Sequence, residues 1–131
     1  ENNGWGFWAV EVKATGEFIG FVGLNKIGEK SGFPNAPFVE IGWRLDIEHW
    51  GKGYATEAAR ASLTFAFDYL ELEKVCAFTV LQNVSSIRVM EKLGMLDSKL
   101  IFNHPALPVS HKLSKHCLYS ITKSQWIANM R

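Results

Sequence analysis

The sequence predicts an α/β domain, more narrowly α+β, built on a mixed and mostly antiparallel sheet. Three observations predict it. The first half reads as three short strands separated by turns, an antiparallel meander; the middle reads as strand, helix, strand; and two strand-like runs near the end would close the sheet as a hairpin. A strand-helix-strand crossover places its two strands parallel, which makes the sheet mixed.

Trp8, Val10 and Val12 alternate with Ala9, Glu11 and Lys13, the pattern of a strand with one wetter face. Ala14 to Glu17 supplies turn chemistry, and Phe18 to Ile27 is apolar enough for a more buried strand. Gly28 to Pro37 is broken by glycine and proline and reads as an exposed loop, followed by a third strand at Phe38 to Leu45. From about Ala55 to Leu70 the residues Ala59, Leu63, Ala66, Phe67 and Leu70 recur at helical spacing and mark a core-facing stripe. Lys74 to Leu81 is strand-like. A second helix from Val84 to Leu93 carries Ile87, Met90 and Leu93 on one side and stops at Gly94, a residue suited to a left-handed C-cap. Leu96 to Phe102 and Cys117 to Lys123 form the hairpin strands.

Composition narrows the function classes. The chain has 131 residues, 47% of them hydrophobic, which is enough for one domain with a real core. Fourteen basic against 13 acidic side chains give a formal net charge of +1, which argues against a duplex nucleic-acid binder that works by counterion release. Cys76 and Cys117 lie far apart with no C-x-x-C pair, and the simplest reading is a reduced, cytoplasmic protein. No apolar run reaches the roughly 18 residues of a membrane span. His104, His111 and His116 lack zinc-motif spacing, so no metal is expected. Cys76 reads as a buried structural thiol and not as a nucleophile, since no histidine lies near it in sequence.

The most informative stretch is Trp50-Gly51-Lys52-Gly53-Tyr54-Ala55-Thr56, between a strand and a helix. A glycine loop at a helix start leaves backbone N–H groups aimed at one spot where the helix dipole favours negative charge, which makes a seat for a phosphate. Lys52 adds a point charge beside it. The plainer reading is a tight strand-to-helix turn.

With Phe38-Val39-Glu40-Ile41-Gly42-Trp43-Arg44-Leu45 upstream and Asn83 to Met95 downstream, ending in Lys92-Leu93-Gly94, the loop resembles the GNAT N-acetyltransferase superfamily, and within it the RimJ/RimL-type branch. His104 to Pro108 and His116 to Tyr119 look like the last hairpin of that branch. The resemblance covers nearly the whole chain. It implies a parallel strand pair splayed around an acetyl-CoA cleft, with acetyl-CoA as acetyl donor and no metal. The cofactor's pyrophosphate would lie on the amides of Gly51, Lys52, Gly53, Tyr54, Ala55 and Thr56, and its pantetheine arm would pair with Leu45, Asp46 and Ile47. Trp50 stands where the family often has Gln or Arg. The resemblance also implies that residues 1–131 are a single such domain lacking an N-terminal strand and helical pair, consistent with Glu1 in place of an initiator methionine. Loss of those elements would leave the first strand as an edge, so a homo-oligomer or a strand-exchanged dimer is expected.

Four side chains near the loop carry alternatives. Asn83 is either an N-cap or the family's asparagine that binds the pantetheine. Ser86 is either a first-turn helix residue or a polar contact to the cofactor, and it is also a catalytic candidate. Glu40 is either the general base that some family members place there or a solvated strand carboxylate. Met90 occupies the place where many relatives have a proton-donating tyrosine, which leaves Ser86, Tyr119 or water for that task. The implied activity is acetyl transfer to a primary amine, by direct attack in a ternary complex. The acceptor would be a protein N-terminal α-amine, a polyamine or a small amine, with no nucleic acid or membrane as partner. A module that binds coenzyme A without catalysis is the alternative.

Overall fold

The computed structural model describes residues 6–46, 49 and 51–129. Strands β1 (Phe7–Val12), β2 (Glu17–Ile27) and β3 (Phe38–Leu45) form the expected meander, with antiparallel pairing throughout. Helix α1 (Tyr54–Thr64) leads through a π-helical turn (Phe65–Tyr69) to β4 (Lys74–Val80). Helix α2 (Val84–Lys92), the hairpin of β5 (Leu96–Asn103) and β6 (Lys115–Thr122), and helix α3 (Lys123–Asn129) complete the described chain. The sheet order is β1-β2-β3-β4-β6-β5, with β3 and β4 the parallel pair at its centre. This is the predicted fold class.

Strand alternation sorts the sheet into two faces. Ile41, Leu45, Val75, Ala77 and Ile121 pack in one core with Ala59, Leu63 and Phe67 of the first helix and Met90 and Leu93 of the second. Gly20 sits where β2 comes closest to β3. A β-carbon there would collide with the Arg44 carbonyl oxygen, so the register of these strands depends on glycine at this point.

Two local features depart from the sequence expectation. The helix predicted from Ala55 to Leu70 ends as a regular α-helix at Thr64, and its last turn widens so that Leu70 N–H reaches Phe65 O at 3.0 Å. The wider turn lets the adjacent Ala66 and Phe67 both bury completely. Helix α3 was not anticipated. It starts with a reciprocal cap, in which Gln125 N–H donates to Thr122 Oγ1 (3.2 Å) and Thr122 N–H donates to Gln125 Oε1 (2.9 Å), and it seats Trp126 5.9 Å from the Phe67 ring.

Candidate active site

β3 and β4 pair at Glu40↔Cys76 and then part, each still bonded to its outer neighbour. The parting has a direct chemical consequence. Asp46 N–H donates to Ile19 O at 2.8 Å, and antiparallel ladders alternate, so the N–H and C=O of Trp43 and Leu45 face away from β2 and into the gap. Backbone groups left there need a partner. The gap is a cleft of about 770 Å³ lined by Phe21, Glu40, Trp43, Arg44, Leu45, Phe78, Thr79, Asn83, Ser86 and Met90 among others.

Of the three backbone partners expected for a pantetheine arm, Leu45 lies in the cleft. Asp46 corrects the expectation, because its N–H is bonded to Ile19 and its carbonyl accepts from His49 N–H at 2.9 Å. Ile47 lies outside the described residues, as does Trp50.

At the mouth of the cleft, Gly51 (φ 82°) and Gly53 (φ 83°) hold the left-handed conformation that costs other residues about 1–2 kcal/mol. A β-carbon on either meets no heavy atom within 4 Å, so conformation calls for glycine while the space ahead stays open. Gly53 caps α1 without a side-chain hydrogen bond, and the first helical bond is Glu57 N–H to Gly53 O at 2.9 Å. The donors of the first turn therefore remain for a ligand. Tyr54, Ala55 and Thr56 line a pocket of about 110 Å³ with both glycines and, from α2, Ser85, Arg88 and Lys92. Lys52 is exposed beside it. The sequence reading missed Arg88 and Lys92. Their spacing from Ser85 already placed the three on one side of α2, but nothing in the sequence said which side faces the loop.

His49 is a third residue that sequence reasoning did not single out. It is buried in the same pocket, with Nε2 3.4 Å from Glu17 Oε2 and neither ring nitrogen in a hydrogen bond among the described residues.

Asn83 and Ser86 sit on the first turn of α2, where the two cavities meet. Asn83 is the N-cap and accepts from Ser86 N–H at 3.1 Å, and it also lines the cleft. Ser86 is buried and accepts from Trp43 Nε1–H at 3.2 Å, which ties α2 to β3 across the gap. That bond uses the oxygen as acceptor and leaves the Ser86 O–H as a donor.

Glu40 is not the solvated carboxylate of the plainer reading. It stands half-buried at the vertex where β3 and β4 still pair, and burial pushes its pKa up to about 7 against the partial opposition of the Asn25 side-chain amide across the strand. Cys76, its neighbour on β4, is fully buried and its thiol is pushed up by burial, as suits a structural residue. Met90 packs in the core behind the cleft. Tyr119 is buried on the helical face and is not among the residues lining the cleft. Burial and the nearby Asp97 also hold its phenol protonated.

The described residues contain no cluster of metal-ligating side chains and no helix long and apolar enough to cross a membrane.

A pocket with open amides and cations is thus joined at one helix turn to a cleft that ends on a half-buried carboxylate. The chain belongs to the GNAT acetyltransferase family: residues 1–96 match the family model described as an acetyltransferase (GNAT) domain. It is 42% identical over 98 residues to YkkB of Bacillus subtilis, covering 75% of this chain and 55% of that protein. It is 32% identical over 126 residues to the FsC-acetyl coenzyme A-N(2)-transacetylase of Aspergillus fumigatus, covering 95% of this chain and 53% of that enzyme. Among solved structures, a GNAT-family acetyltransferase from Bacillus anthracis superimposes with a TM-score of 0.74 at 27% identity, over 90% of this chain and 66% of that one. The chain thus spans about half the length of these curated relatives.

Proposed function

We propose that this chain carries the donor-binding and chemical parts of an N-acetyltransferase that moves an acetyl group from acetyl-CoA to a primary amine by direct attack. The observation that carries the reading is the Glu40 carboxyl, held near pH 7 at the vertex of a cleft whose mouth is an open phosphate seat. The residues present suit acetyl-CoA: uncapped α1 amides with Arg88 and Lys92 for the phosphates, and Leu45 and Trp43 backbone groups with Asn83 for the arm. When bound, acetyl-CoA supplies an activated acyl group.

Each step then belongs to a named group. Glu40 removes the proton that an attacking ammonium must lose, and a pKa near 7 suits a base at neutral pH. The Leu45 N–H steadies negative charge that develops on the acyl oxygen, an effect worth about 3–4 kcal/mol where it has been measured. Ser86 holds its O–H for the departing sulfur, the task that Met90 cannot perform.

The Aspergillus fumigatus relative is named as an acetyl coenzyme A-N(2)-transacetylase, which supports a nitrogen acceptor for the present chain. The test is release of free coenzyme A thiol from acetyl-CoA in the presence of an amine panel, with Glu40→Gln as control. Amine-dependent release that falls by about 10²-fold in Glu40→Gln supports the reading. Tight coenzyme A binding with no amine-dependent release would replace it with the non-catalytic module.

A further inference from the structure

The face of the sheet that carries Glu40 also carries an array of aromatic rings that the donor does not explain. Phe38 lies two positions from Glu40 on the same face of β3, and Phe78 bears the same relation to Cys76, the β4 partner of Glu40. Phe78 lines the cleft together with Glu40. Phe33 reaches over from the loop between β2 and β3 to place its ring 4.7 Å from Phe78, and Phe102 approaches Phe78 at 6.1 Å. His104 and His116 close the group, 5.0 Å apart and 6.1 and 6.2 Å from Phe78. The phenylalanines are half-buried, so each keeps part of a ring open, and Phe78 does so in the cleft itself.

The environment of His104 disfavours a positive charge on its ring. His104 Nδ1 accepts from Ala106 N–H at 3.0 Å, so its ring proton sits on Nε2, and burial together with His116 lowers its pKa. His116 Nδ1 donates to Ser114 O at 2.9 Å, because a carbonyl oxygen can only accept. The four phenylalanines make the array an apolar wall.

Charge sets the second constraint. Among the described residues lining the cleft, Glu40 is the one carboxylate and Arg44 the one cation. A ligand with a single ammonium group finds its partner in Glu40. A polyamine brings further ammonium groups that would leave water for phenylalanine rings and a guanidinium.

Resting on the acetyltransferase reading, we propose that this face binds the acceptor and that the acceptor is a small monoamine with an aromatic body, its ring against Phe78 and the open side of the cluster that Phe33 and Phe102 form with it, and its amine at Glu40. These rings already pair with one another, so an incoming ring meets the open side of the cluster, where aromatic pairing favours a flat partner over an aliphatic chain of equal size.

The test measures binding of phenethylamine, butylamine and spermidine to the coenzyme A-saturated protein by calorimetry, in parallel with thiol release from acetyl-CoA. Phenethylamine should bind about tenfold or more tightly than either competitor. Phe33→Leu and Phe102→Leu, checked as folded by their retained coenzyme A affinity, should lose most of that preference. Spermidine or butylamine binding as tightly as phenethylamine, or folded variants that keep the preference, would overturn the proposal even if acetyl transfer proceeds. Selective phenethylamine binding without thiol release would leave the proposal standing and remove the catalytic reading instead.

Discussion

At the glycine loop the molecule offers positive charge and open backbone donors to exposed space, whereas at Glu40 it keeps one negative charge away from water. The first arrangement uses the side chains of Arg88 and Lys92, whose attraction for an anionic ligand is open to exchange with salt and water. The second holds a group whose charge is in doubt, since burial moves the Glu40 pKa from 4.5 to about 7. The proposed binding and proton transfer thus fall in regions with opposite solvation. One helix turn joins them, with Ser85 lining the loop pocket and Ser86 the cleft.

If that contrast is right, the Glu40 region is maintained at the expense of stability and the loop region is not. A carboxyl whose folded pKa is raised favours the fold below its unfolded value, and that contribution is lost as pH rises through the folded value. For Glu40 the window runs from 4.5 to about 7. Glu40→Gln removes the buried charge, so it should stabilise the protein by up to about 3 kcal/mol at pH 8 and leave it unchanged near pH 4. Denaturant melts at the two pH values check this, and a variant less stable at pH 8 would mean that the charge is well solvated.

A smaller effect is expected at the loop. Gly53→Val forces a β-branched residue to φ 83°, which should distort the seat and weaken coenzyme A binding about tenfold, or 1.4 kcal/mol, while the Glu40 pH dependence stays in place. Unchanged affinity in a folded variant would remove the loop from the site. The smallest effect belongs to Arg88→Ala. An exposed cation is worth at most about 1 kcal/mol, and the loss should shrink as salt rises. An affinity loss that salt does not alter would show that Arg88 acts through packing and not through charge.

The order of elements could be read from periodicity and turn residues because each signal is local: alternation before Leu45, a helical stripe from Ala59 to Phe67, and glycine at both ends of the loop. Glu40, Asn83 and Ser86 could be named as candidates for the same reason, since strand and cap positions follow from neighbours in sequence. Their states could not. The Glu40 pKa depends on burial and on Asn25 from another strand, and the use of Ser86 as an acceptor depends on Trp43 from across the cleft. Asp46 was misjudged because its N–H is claimed by Ile19, a partner far away in sequence. Arg88 and Lys92 needed the packing of α2 against the loop, and the aromatic wall needed two loops to fold over one face. Helix α3 is different in kind: Thr122-Lys123-Ser124-Gln125 carries a capping-box signature that was available in the sequence.

The central claim is that a desolvated Glu40 is the base, and the pH dependence of turnover tests it most directly. Turnover at saturating acetyl-CoA and amine should fall on the acidic side with a midpoint near the Glu40 value of about 7. That limb should vanish in Glu40→Gln and should hold its position when amines of different pKa are compared. A limb that survives in Glu40→Gln, or that moves with the pKa of the amine, would contradict the account and place proton removal elsewhere.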